Sequence, residues 1–132
     1  MEFITNIVES TFKLKEDSYM SYDGFIISTN KQQILFGIYN EQCCCENWGY
    51  FMTNDSIKDF KGAELLSVEL TGTDLTTKEL SEHGTSDYAN LMFVTLKTNV
   101  GVLQFVAYNE HNGYYGHDAV IVSEQLTYSE IL

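Results

Sequence analysis

Cys43, Cys44 and Cys45 stand in a row inside YNEQCCCENWGYF (residues 39–51), and the Tyr-Asn-Glu opening returns in YNEHNGYYGH (108–117), which adds His111 and His117. Thiols, imidazoles and carboxylates this close have three chemistries open to them. A disulfide between neighbours is disfavoured, because adjacent Cα atoms sit about 3.8 Å apart, below the roughly 4.4–6.8 Å a bridge prefers. Zinc needs four convergent ligands. In a strand Cys43 and Cys45 share a face, and they complete a Cys2His2 set with His111 and His117 only if the two stretches meet in space. A nucleophilic thiolate needs a positive neighbourhood, whereas these thiols lie between Glu41 and Glu46 with no lysine nearby in sequence. Packing is the reading the residues favour, with at least one cysteine in the core and another lining a loop or pocket. No catalytic residue, metal ligand or cofactor is assigned on these grounds.

The elements that must position these residues are mostly strands. YDGFIIST (22–29) and QQILFGIY (32–39) flank Asn30-Lys31, and a two-residue turn there pairs Phe25 with Phe36 and Ile27 with Ile34. LMFVTLKT (91–98) and VLQFVAYN (102–109) flank Asn99-Val100-Gly101, a short loop with glycine where a left-handed residue is needed. Asn112-Gly113 is the strongest hairpin signal in the chain. As a two-residue turn it sets Phe105 opposite Val120, Leu103 opposite Val122, Tyr108 opposite His117 and Glu110 opposite Tyr115. NDSIKDFKGAELLSVEL (54–70) reads as one capped helical turn ending at Gly62, then a strand through Leu70. TGTDLTTKELSEHGTSDYAN (71–90) reads as a polar loop with a turn of helix, and the first dozen residues suit strand or short helix equally. The expected fold class is α+β: a mainly antiparallel β-sheet with one or two short helices, in a single domain over 1–132.

Charge narrows the partners. Seven lysines, no arginine and nineteen acids give a net charge of −12. Nucleic-acid affinity rests on cations facing phosphates, so direct DNA or RNA binding is disfavoured. Missing arginine also removes bidentate anion recognition. No apolar run approaches the roughly 20 residues of a membrane span, and the acidic start MEFITNIVES lacks a secretion pattern, so the expected compartment is the cytoplasm.

The stretch NEQCCCENWGYF followed by IKDFKGAELLSVE resembles a family of small phage and prophage proteins with a Gln-Asp-Cys-Cys-Glu motif. VGVLQFVAYNEHNGYYGHDAVIV (100–122) is similar to that family's second signature, a strand entering Asn-Gly-Tyr-Tyr before the final strand. The likeness covers residues 24–71 and 90–123. Cys43 stands where the family usually has Asp, and Asn40 where it often has His. The family is a domain of unknown function, so the resemblance implies a bacteriophage-type α+β protein in a bacterial host's cytoplasm and no chemistry.

Both signatures lie where a strand leaves the sheet. Brought together, they would gather Asn40, Glu46, Asn47, Trp48 and Tyr50 with Asn109, Glu110, Asn112, Tyr114, Tyr115 and His117. Flat aromatic faces beside amides and carboxylates suit a ring with hydrogen-bonding edges. The expectation is therefore a non-enzymatic phage-type protein, acting in counter-defence, that sequesters a small nucleotide-like signal. The alternative is an acidic inhibitor, in effect a nucleic-acid mimic, that binds a basic host protein. An enzyme using Glu46, Glu110 or His117 as acid or base ranks last, because no motif of known mechanics is present. Open strand edges also allow a homo-oligomer.

Overall fold

In a computed structural model, the structure describes residues 1–16, 19–41, 47–52, 57–70, 90–110 and 116–132. Alternation of apolar and polar residues produces strands β1 (Ile4–Phe12), β2 (Tyr22–Thr29), β3 (Gln33–Tyr39), β4 (Asn47–Met52), β5 (Leu65–Leu70), β6 (Asn90–Thr98), β7 (Gly101–Glu110), β8 (Asp118–Val122) and β9 (Thr127–Ile131). They form two antiparallel sheets, ordered β1-β2-β3-β8-β9 and β4-β7-β6-β5. The inner faces share one core, in which Phe105 of the second sheet packs against Phe25 and Phe36 of the first at ring separations of 5.3 and 5.6 Å. Phe36 and Phe105 are fully buried, each worth about 1.5–3 kcal/mol in transfer from water.

This is a mainly-β sandwich, and the α+β expectation is corrected accordingly. The helical turn read from NDSIKDFKG is a four-residue 3-10 turn, Ile57–Phe60, the sole helical element among the described residues. Two residues past its end stands Gly62, whose φ of +84° only glycine adopts cheaply. The ambiguous N-terminal stretch is strand β1. It also joins the sheets at one side: the Ile4 N–H donates to the Ala63 carbonyl, the Gly62 N–H to Ile4, and the Leu65 N–H to Glu2.

Two hairpins follow their turns. Phe25 pairs with Phe36 and Ile27 with Ile34 around Asn30-Lys31, as the spacing predicts. β6 turns into β7 through Asn99-Val100, pairing Thr98 with Gly101, whose φ is +148°. The third expected hairpin is not made. β7 and β8 lie in different sheets, so the pairings Phe105–Val120, Leu103–Val122 and Tyr108–His117 do not occur, and the expected Glu110–Tyr115 pair falls outside the described residues. Phe105 pairs instead with Met52 and Val94, and Val120 with Gly37 and Ser129. The reason is edge occupancy: β4 and β6 take both edges of β7, while β3 still has one to offer β8. The residues 71–89 read as a polar loop lie outside the described part, and among the described residues no helix is long and apolar enough to cross a membrane.

At the end of the sandwich carrying the β2–β3 turn, the buried carboxylate of Glu2 accepts from the Thr29 hydroxyl at 2.6 Å, Gln32 Nε2 at 2.8 Å and Gln125 Nε2 at 2.9 Å. Burial alone would raise its pKa; these three donors and the charge of Lys31 outweigh burial and lower it. Two turns and the start of the chain are thereby fastened to one side chain.

Candidate functional site

The opposite end of the core closes with a polar layer. Strand alternation turns Trp48 and Asn109 inward, the same way as Tyr50, Met52, Phe105 and Ala107, and they face each other in the β4–β7 register. The next pair, Asn47 with Glu110, is the last of that ladder. The chain therefore enters β4 from the cysteine stretch beside the point where it leaves β7 for the Asn-Gly-Tyr-Tyr stretch. From the other sheet comes His117, joined to Leu132 by two backbone bonds: the His117 N–H donates to the Leu132 carbonyl at 3.1 Å, and the Leu132 N–H to His117 at 2.8 Å.

His117 is almost wholly buried, its ring stacked on Trp48 at 5.1 Å with planes 28° apart and tilted against Tyr39 at 6.0 Å. Its Nδ1 lies 2.6 Å from the Tyr39 carbonyl oxygen. A carbonyl can only accept, so Nδ1 carries the proton and the ring orientation is fixed. The Asn109 amide donates through Nδ2 to the Leu132 carbonyl at 3.1 Å, tying the second sheet to the first. Trp48 is part-exposed, yet its Nε1 is buried and meets no acceptor among the described residues. A buried donor left without an acceptor costs about 1–3 kcal/mol.

Asn40 and Tyr50 belong to neighbouring clasps. Asn40 Nδ2 donates to Asp23 Oδ1 at 2.9 Å, and the Thr11 hydroxyl donates to the same oxygen at 2.7 Å. The Tyr50 hydroxyl crosses from β4 to β1 and donates to Glu9 Oε2 at 2.8 Å, while its ring meets Phe25 edge-on. Burial, the bond to Glu9 and the charges of Glu9 and Asp23 all push the Tyr50 phenol above its usual range. The Tyr39 hydroxyl donates to Glu41. The Tyr108 ring covers Gly49: a Cβ there would lie 2.7 Å from the Tyr108 hydroxyl oxygen.

The structure thus brings Trp48, Asn109 and His117 into one layer and places Asn40 and Tyr50 beside it. Glu46, Asn112, Tyr114 and Tyr115 lie outside the described residues, as do His111, the three cysteines and the side chains of Asn47 and Glu110. The disulfide, zinc, nucleophile and packing readings of Cys43–Cys45 therefore fall outside the described part. Among the described residues, no ligand-sized cavity opens and no three His, Cys, Asp or Glu side chains converge. Sequence reasoning missed Glu9, Thr11, Asp23 and the Tyr39 carbonyl. The first three were findable, since Glu9 and Thr11 keep step with Ile7, and Asp23 with Phe25 and Ile27, all on the core-facing side of their strands. A carbonyl's aim leaves no such signal.

The layer can present a flat, preset aromatic surface with a buried N–H donor beside it. By register, Asp23 and Asp118 lie at this end, with Glu9 further in and Glu41 just past Tyr39; Lys13 and Lys15, just past Phe12 of β1, are the lysines on the same side. Lys31 lies in the turn at the far end. This setting suits a neutral ring better than a string of phosphates. No curated protein and no solved structure matches the chain. The family described as "Domain of unknown function (DUF7448)" matches residues 4–121, from the first residue of β1 almost to the end of β8, and the chain belongs to that family.

Proposed function

We propose that this chain is a non-enzymatic binding protein of phage type that sequesters a small nucleotide-like signalling molecule in the cytoplasm of a bacterial host. The observation that carries the reading is the Trp48–Asn109 register pair beneath His117. It sets the ends of both signature stretches side by side, over an indole whose buried N–H has no acceptor among the described residues. A base ring stacks on such a surface, at about 1–3 kcal/mol per base, and a ring carbonyl or ring nitrogen supplies the acceptor. Glu46, Asn112, Tyr114 and Tyr115 complete the ligand shell in this reading. The acidic surroundings favour a ligand held by its base and carrying few phosphates.

The test is native mass spectrometry of the protein purified from bacterial cells, beside the same sample denatured. A nucleotide-sized mass released on denaturation is the expected result. Trp48→Phe, which keeps a ring on His117 and removes the N–H, should lose that mass with its circular dichroism unchanged. A bare protein mass overturns the reading. A co-purifying basic protein in place of a small molecule would replace it with the acidic-inhibitor alternative.

A further inference from the structure

We infer that the outer face of the five-stranded sheet is a docking surface for a second copy of this chain. This inference is independent of the ligand reading. Val8, Ile26, Leu35 and Val122 form one unbroken cross-strand row over β1, β2, β3 and β8. Their alternation turns them away from the shared core, whose members on these strands include Ile7, Ile27, Ile34 and Ile121. The adjacent row runs through Ser10, Gly24 and Gly37 to Val120, and its small residues let the Phe12 ring lie down over Gly37. At the sheet's other margin Ile131 faces the same way and is 73% exposed. The result is a broad, low-relief apolar face.

Its charge content identifies the occupant. One residue in five of the chain is charged, 20%, and the net charge is −12. Yet the four cross-strand rows of this face, from Asn6–Ser28–Gln33 to Phe12–Tyr22–Tyr39 with Asp118–Ile131 at the end of β8 and β9, contain a single charged side chain, Asp118. A basic partner would be drawn to carboxylates, which this face has shed. A two-fold contact between copies sets a patch against itself, so a patch carrying only carboxylates would meet only carboxylates. Two chains of −12 repel at long range, and only an uncharged face lets them touch without adding close repulsion. The second sheet's outer face differs, since it displays the Lys97–Glu69 pair.

Sedimentation velocity from about 1 to 100 μM should show a monomer–dimer equilibrium that moves toward dimer with concentration. Added sodium chloride, from about 50 to 500 mM, should tighten the dimer by screening the repulsion between copies, whereas an ion-paired interface would loosen. This response is read on the unaltered chain, so the test does not hang on any variant folding. Val8→Glu should weaken association at least tenfold, and Ile131→Glu, at an open position, should weaken it in the same direction. Far-UV circular dichroism should be unchanged for both. A monomer at every concentration, a dimer that loosens with salt, or a dimer that survives Val8→Glu and Ile131→Glu combined would each overturn the inference.

Discussion

Tyr50 shows how a residue picked as a ligand contact can be committed to holding the sheets together. Its ring packs from the second sheet against the shared core, and its hydroxyl bonds Glu9 of the first. Tyr50→Phe keeps the ring and removes the bond, which should cost about 1 kcal/mol in urea unfolding, since Glu9 is solvent-exposed and its bond falls short of a buried charged one. The pH dependence has a definite sign. The phenol is held above its usual value by burial and by the carboxylates around it. Its contribution is therefore fully present below the unfolded tyrosine value of about 10 and is lost as pH rises toward the folded value. The stability gap between wild type and Tyr50→Phe should stay constant from neutrality to about pH 9 and shrink above about pH 10. A gap that widened with alkali would show that the Glu9 bond is not what sets it. At this scale the sequence was half legible. Residue types at 40, 48, 50, 109 and 117 pointed to one end of the molecule, but which partner each would take depends on strands distant in sequence.

Between β2 and β3 the backbones run so close that no side chain fits at Gly24. A Cβ there would lie 1.9 Å from the Phe36 carbonyl oxygen and 2.5 Å from the Gly37 Cα. Both are backbone atoms, so Gly24→Ala can be accommodated only if the strands part, disturbing the Phe25–Phe36 pair that feeds the core. The expected cost is about 1–3 kcal/mol, read as a lower urea midpoint with an unchanged slope. An unchanged midpoint would mean the strands separate freely at that point. This hairpin was readable because its register is set locally, by a two-residue turn and matching apolar faces. The β7–β8 connection was not, although Asn112-Gly113 is the stronger turn signal. A turn signal reports what the chain can do over four residues; pairing depends on which strand edges remain open. The helical share was overestimated for a related reason, because one capped turn before Gly62 has the same sequence marks whether or not a helix continues from it.

Across the whole molecule, −12 is the property most exposed to solution conditions. Repulsion among exposed carboxylates favours expansion of the chain, and salt screens it. Opposing that, salt also weakens favourable pairs, so the net sign depends on how many there are. Among the described residues one ion pair is formed, Lys97–Glu69 at 3.0 Å, with both side chains about half exposed at 52% and 43%. Such a pair contributes about 0–1 kcal/mol, so screening it removes little. Going from about 20 to 500 mM sodium chloride shortens the screening length from roughly 20 Å to roughly 4 Å, below most separations between surface carboxylates. Relief of repulsion should dominate, and the melting temperature should rise by a few degrees for each kcal/mol gained. Protein concentration must be held low and constant, because dimerisation through the uncharged sheet face would raise the melting temperature by mass action in the same direction. Val8→Glu separates the two effects. If the rise belongs to the monomer's own repulsion, the variant shows it in full; if the rise vanishes with the variant, salt was acting through the second copy.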